Sequence, residues 1–393
     1  MAFQSFVPTV RTLMGPGPSD VNPRILTAMA RPTIGHLDPE FIRLMDEIKV
    51  MLQYAFQTKN QLTIPVSAPG SAGMETCFIN LIEPGDKVIV CQNGVFGGRM
   101  TENVKRSQGI PVVVEQQWGR AVDPAQLEAT LKMHPDAKIV AFVHAETSTG
   151  VVSDASALCK IAQAFGCLTI VDCVTSLGGI EVALDAWGAD AAYSGTQKCL
   201  SCAPGLSPIS MSQRAVDVIK ARKTPVASWF LDLNLVMGYW GEGQTRAYHH
   251  TAPVNALYGL HEALVVLTEE GLASSWDRHR RNHNALKAGL EAMGLTFVVP
   301  EAERLPQLNL VSIPEGVDEG SIRKQLLEQY NLEIGAGLGS LAGKVWRIGL
   351  MGYASNPKNV LLCVNALEAV LSQCNAHINK GVATAAVQAS YNS

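Results

Sequence analysis

From about residue 60 to about residue 210, short apolar runs alternate with amphipathic segments. The runs predict strands at Leu62–Val66, Lys87–Cys91, Pro111–Val114, Lys138–Val143, Leu168–Asp172, Ala189–Tyr193 and Ser207–Met211. Asp154–Phe165 has the helical period of the segments between them. Strands apolar on both faces and separated by helices predict a mostly parallel sheet covered on both sides. Ahead of this block, Asp38-Pro39-Glu40 opens a helix reaching about Phe56, with Asp as N-cap and Pro in the first turn. Behind it, Pro253 to about Glu269 and Ser275 to about Met293 read as two long helices. The pattern then changes to strands at Gln307–Ser312 and Val345–Leu350, with helices at about 318–328 and 356–373.

This change predicts an α/β chain with an N-terminal arm (1–20), a large domain (21–270) and a smaller C-terminal α+β domain (271–376). Residues 377–393 are expected to be a frayed tail. A chain of 393 residues in which 47% are hydrophobic can fill two such cores. Its net charge of −4 and lack of a Lys/Arg run argue against nucleic acid or an anionic membrane as partner. No apolar stretch reaches the roughly 18 residues of a membrane span, and neither end carries a secretory or peroxisomal signal. Scattered cysteines, five of them in apolar runs (Cys77, Cys91, Cys167, Cys363 and Cys374), suit buried, reduced thiols in a cytoplasmic protein. Cys199-x-x-Cys202 lacks the second pair that a metal site needs, and His249-His250 lack a third ligand at a suitable spacing, so no metal is expected.

Chemistry concentrates where strands end. Asp172 closes one strand, and Lys198 follows the next within the small-residue loop Ser194-Gly-Thr-Gln-Lys198. Ligands of an open parallel sheet bind beyond the carboxyl ends of its strands. A lysine that condenses with an aldehyde, beside a carboxylate that keeps a ring nitrogen protonated, suits a pyridine cofactor. Read singly, they favour a turn aspartate and a surface lysine; the shared setting reverses that. Pro69-Gly70-Ser71, between a strand and a helix, offers backbone N–H groups and a hydroxyl to a phosphate, although a sharp turn explains it too. Neither a dinucleotide glycine fingerprint nor a phosphate-binding loop of nucleotide hydrolases is present. In Val345-Trp-Arg-Ile-Gly-Leu350, alternation separates Arg347 from Trp346, Ile348 and Leu350. That arginine needs a partner, either a substrate carboxylate or a structural carboxylate. Phe96 can cover one face of a planar ring or simply begin a helix.

With these segments in hand, the chain resembles the alanine–glyoxylate and serine–pyruvate aminotransferases of class V. The likeness runs from about Leu13 to about Cys374 through Gly15-Pro-Gly-Pro-Ser19, Met45-Asp-Glu-Ile-Lys49, Glu83-Pro-Gly-Asp86 and Glu146-Thr-Ser-Thr-Gly150. It continues through Val171-Asp172, Ser194–Lys198, Tyr248-His-His-Thr251 (after the Gly-rich turn Gly241-Glu-Gly243) and Val345–Leu350. The resemblance implies the aspartate-aminotransferase-like fold (fold type I), pyridoxal 5'-phosphate (PLP) as cofactor, and a homodimer with shared sites. It further implies amino transfer from alanine or serine to glyoxylate or pyruvate. By it, Lys198 bonds the cofactor and Asp172 partners the pyridine nitrogen. Gly70, Ser71, Ala72, Gly73 and Gln197 lie on the phosphate side, joined by Tyr248 and Thr251 from the neighbouring subunit. Thr147 stands near the phenolic oxygen, Phe96 stacks on the ring, Arg347 clamps the substrate carboxylate and Gly17 lines the pocket. Close relatives often have Trp in place of Phe96, and some have Ser-Gly-His in place of Ser71-Ala72-Gly73. A lyase of the same fold, of cysteine desulfurase or kynureninase type, is the alternative; Cys363 and Cys374, in a helical pattern, suit a desulfurase poorly.

Overall fold

The computed structural model describes residues 3–241 and 246–393, so Glu242 and Gly243 of the Gly-rich turn lie outside the described residues. Seven strands form the central sheet: β1 (Leu62–Val66), β2 (Lys87–Gln92), β3 (Ile110–Glu115), β4 (Ile139–Val143), β5 (Leu168–Asp172), β6 (Ala191–Tyr193) and β7 (Ser207–Met211). Their order in space is β1-β7-β6-β5-β4-β2-β3. Pairing is parallel from β3 through to β6, and β7 alone runs against both its neighbours. Every residue of β1, β4, β5 and β7 is buried, which is why these runs are apolar without alternation. β3 is largely exposed, as its place at the edge allows.

The helices begin where sequence chemistry places them. Asp38 accepts from the Glu40 N–H at 2.8 Å, Pro39 occupies the first turn, and the helix runs Pro39–Phe56. A cap of this kind is worth about 1 kcal/mol. The apolar face of that helix (Phe41, Met45, Ile48, Leu52) packs into the core of the sheet block. A second core gathers Met14, residues of the helices Leu272–Ala292 and Pro357–Gln373, and the strand Val345–Gly349. Trp346 and Ile348 point into this second core, as alternation predicts. Val345–Gly349 lies between Leu308–Ser312 and Gly335–Ala336, antiparallel to both.

Two expectations fail. The end of the chain is not frayed: Ala383–Asn392 is a helix with Ala383 and Val387 fully buried in the second core. Its apolar residues are small and widely spaced, a weak periodic signal that packing against Leu272–Ala292 overrides. Cys374 is exposed at the cap of Pro357–Gln373, while the other eight cysteines are buried. The N-terminal arm is tied down from Arg11, whose guanidinium donates to Leu327 O and Asn331 Oδ1, both at 2.6 Å. Thr12–Leu13 then pairs with Leu332–Glu333, and the Gly349 N–H donates to Met14 O at 2.6 Å.

Candidate active site

Parallel pairing of β5 with β6 sets Asp172 opposite Tyr193, both at the carboxyl ends of their strands. Asp172 is buried; it accepts from the Val174 N–H on one oxygen and from the Tyr193 hydroxyl on the other, both at 2.8 Å. Burial pushes its carboxyl up to about 7, against these two hydrogen bonds, and nearby Glu146 adds to the rise. Lys198 follows β6 and is also buried. Burial pushes its ammonium down to about 8, and Arg347 repels it further while Asp172 opposes the fall. Its amine donates to Pro16 O of the arm. Gly17 stands against the same amine at φ +103°, where a Cβ would come within 2.5 Å of Nζ. The Ser19 hydroxyl fixes the lysine's backbone, donating to Lys198 O at 2.8 Å.

Arg347 enters from the strand Val345–Gly349. Its Nε donates to Ala336 O at 2.6 Å and its Nη1 to Thr147 O at 3.3 Å. Burial pushes the guanidinium down to about 10, with Glu146 opposing. Its hydrogen bonds are to carbonyls, so no carboxylate is paired with it directly among the described residues, and a buried cation in that state favours an anionic ligand.

The helix Gly70–Leu81 starts at Pro69 without a side-chain cap, and Ser71 is exposed at its first turn. Gly70 faces Ser194 O and Val174, beside Asp172. Gly73 does not face outward with them: it abuts Ser207 and Tyr193, and is small because helix and sheet meet there. Gln197 has a buried side-chain oxygen without a partner. Turned over, the same amide presents N–H groups to an anion. Phe96 is half-buried at the start of the helix Val95–Arg106, with the Arg99 guanidinium 4.7 Å above one face. Thr147 is buried beside Arg347.

Tyr248 and Thr251 stand apart in exposure. Tyr248 is 62% exposed; its hydroxyl lies 3.4 Å from Thr251 Oγ1, and its ring packs on His36. The histidines between them are absorbed by structure: His249 stacks on Trp229, and His250 bonds to His249 and to Ser67 Oγ. Cys199 is buried with its thiol pushed up to about 12 by burial, so it is poorly suited to thiolate chemistry.

Sequence reasoning missed two polar groups. Tyr193 was visible only as a strand end, because its bond to Asp172 depends on the β5–β6 register. Glu146 has no evident role within Glu146–Gly150, yet it is fully buried and accepts from Ser148 and Phe96. A carboxylate just after the buried run Ile139–Val143 was the available signal.

A parallel-sheet fold with lysine and aspartate at adjacent strand ends, facing an arginine, is the arrangement of an aminotransferase. Residues 24–357 match the aminotransferase class-V family, and the chain belongs to it. It is 40% identical to the (S)-ureidoglycine–glyoxylate transaminase of Bacillus subtilis, over 95% of this chain and 94% of that one. The crystal structure of that organism's ureidoglycine–glyoxylate aminotransferase superposes with a TM-score of 0.97, covering 99% of this chain and 100% of the other. Alanine–glyoxylate aminotransferase of Rattus norvegicus is 39% identical over 93% of this chain and 88% of its own. The alanine–glyoxylate aminotransferase structure from Nostoc sp. gives a TM-score of 0.92 at 45% identity, over 94% and 98%. The expected α/β aminotransferase fold is the one observed, and the lyase alternative is not favoured. No helix among the described residues is long and apolar enough to cross a membrane.

Proposed function

We propose that this aminotransferase uses PLP to move an amino group from a small donor, alanine foremost and serine next, to glyoxylate. The observation that carries the reading is the buried set of Asp172, Lys198 and Arg347. The set fits the cofactor: a buried carboxylate lacking a directly bonded cation, an amine near neutrality, an uncapped helix start, and an unpartnered amide at Gln197. Glyoxylate as acceptor is common to the named relatives.

Bound there, PLP supplies an aldehyde and an electron-withdrawing ring. Gly70, Ser71, Ala72, Gly73 and Gln197 would hold its phosphate at the helix start. Asp172, kept in place by Val174 and Tyr193, holds the proton on the ring nitrogen. Lys198 would hold the cofactor through its aldehyde, and its amine would take and return the donor's Cα proton. Its lowered basicity leaves a useful share of free amine near neutral pH. Arg347 binds the substrate carboxylate and thereby orients the Cα–H bond. Thr147 and Phe96 would flank the ring.

Residues 21–270 are assigned the cofactor, residues 271–376 supply Arg347, and residues 1–20 form the arm that lines the pocket with Gly17. The working unit is a homodimer in which the exposed Tyr248 and Thr251 reach the partner's phosphate. A cytoplasmic setting agrees with nine unpaired cysteines. The reading is tested with a donor panel against glyoxylate and pyruvate, (S)-ureidoglycine included. Alanine with glyoxylate should rank among the best pairs. Glutamate turning over faster than alanine would contradict a pocket with a single carboxylate clamp.

A further inference from the structure

The helix that carries Phe96 has no cap of its own. Its N-cap is Gly94, which has no side chain to offer. The donors of its first turn are instead met from a segment some fifty residues away. Val95 N–H donates to Ser148 Oγ at 2.9 Å, and Phe96 N–H donates to Glu146 Oε2 at 3.1 Å. Ser148 in turn donates to Glu146 Oε1 through its backbone at 3.0 Å and its hydroxyl at 2.6 Å. The Gly97 N–H also bonds to Glu146. Glu146 is thus a fully buried carboxylate whose oxygens are met by donors, at the positive end of a helix dipole.

Gly94 shows how close the two segments lie. Its extended backbone would suit any residue, yet a Cβ there would come within 2.5 Å of Glu146 Cδ and closer still to Ser148 Oγ. The residue between the two capping groups is Thr147, whose carbonyl accepts from Arg347. One three-residue segment therefore grips the Phe96 helix with its outer residues and Arg347 with its middle one.

We propose that Glu146 and Ser148 are positioning residues, a cap built across the fold that fixes Phe96 against the cofactor ring. The proposal rests on the PLP reading of the site. Glu146→Gln places an amide donor against backbone donors, and Ser148→Ala removes the acceptor for Val95; neither changes a group that touches the cofactor or substrate. In both variants, deuterium uptake at the amides of residues 95–97 should rise in cofactor-free protein. The PLP dissociation constant should increase about fivefold, the order expected for losing one cap of about 1 kcal/mol. The circular dichroism of the bound cofactor's absorption band, per molecule bound, should fall. Asp123→Ala removes an ordinary cap, that of the helix Pro124–Met133. It should lower stability comparably and leave PLP affinity and the dichroic signal as in wild type.

PLP affinity within about twofold of wild type in both variants would overturn the proposal. So would an Asp123→Ala protein that loses affinity to the same degree. A wild-type protein that binds no PLP defeats the proposed function instead; the cap is then still decided by exchange at residues 95–97, and unchanged exchange there refutes it.

Discussion

Asp172→Asn should stabilise the cofactor-free protein at alkaline pH while abolishing most of its activity. Burial raises the Asp172 carboxyl from an ordinary 3.8 to about 7. The folded chain therefore holds this proton more tightly than the unfolded chain. Below about pH 4 both states are protonated and the residue costs nothing. As pH rises from there through about 7, the unfolded carboxyl ionises first, and the folded state loses stability relative to it. Three pKa units at about 1.36 kcal/mol each make the full penalty ~4 kcal/mol, reached above about pH 7. Asparagine avoids that cost. Its oxygen still accepts from Val174, and its amide can donate to the Tyr193 hydroxyl, so the hydrogen bonds survive. The assay is denaturant or thermal unfolding of both proteins, stripped of cofactor, at pH 5 and pH 8. The variant should gain on wild type between the two, and at pH 8 should be the more stable. Bound PLP should shrink the difference, because a protonated ring nitrogen gives the wild-type carboxylate a partner. Parallel pH profiles for the two stripped proteins would refute the reasoning.

Borohydride reduction followed by peptide mapping should place the pyridoxyl adduct on Lys198, and Lys198→Ala should abolish transamination; an adduct elsewhere removes the assignment. Because burial brings that amine down to about 8, the rate of PLP uptake by stripped protein should rise with pH and level off above about pH 8; a rise continuing to pH 10 would show an ordinary lysine. Arg347→Ala should weaken every α-carboxylate substrate by about 2–4 kcal/mol without changing cofactor absorbance. Equal loss for amino acids and their decarboxylated amines would make the arginine structural. Lys198→Ala chains refolded with Tyr248→Ala/Thr251→Ala chains should recover activity, since one site of a mixed C₂ dimer then escapes both defects. No recovery, with mixed dimers confirmed by native mass spectrometry, would show that each chain completes its own site.

The sheet was legible because its strands are buried on both faces. Leu62–Val66, Leu168–Asp172 and Ser207–Met211 emerge with the limits that their apolar runs predict. Asp38-Pro39 likewise announces the helix it caps. Spatial order was not legible: that β7 reverses between β1 and β6, or that Tyr193 lies beside Asp172, depends on pairings between strands far apart in the chain. For the same reason the packing of Gly73 against Ser207, which keeps that position small, cannot be read from the chain. Glu146 and Ser148 were hidden because their partners, Val95 and Phe96, lie about fifty residues back and contribute only backbone. The closing helix was missed because alanine-rich segments have little periodicity to read.

The threading of the N-terminal arm matters to anyone who re-engineers the chain. Residues 3–10 are exposed, so a fusion partner ahead of them adds its bulk away from the side chains of the pocket. From Arg11 the same strand first joins Leu332–Glu333, then accepts the Gly349 N–H, and within three more residues reaches the Lys198 amine at Pro16. New termini opened between Arg11 and Ser19, as in a circular permutant, would sever a tether that keeps the strand of Arg347 in register with Lys198. Such a permutant should keep the core of the sheet, loosen Met14 in the second core, and hold its amine and its guanidinium at the wrong separation.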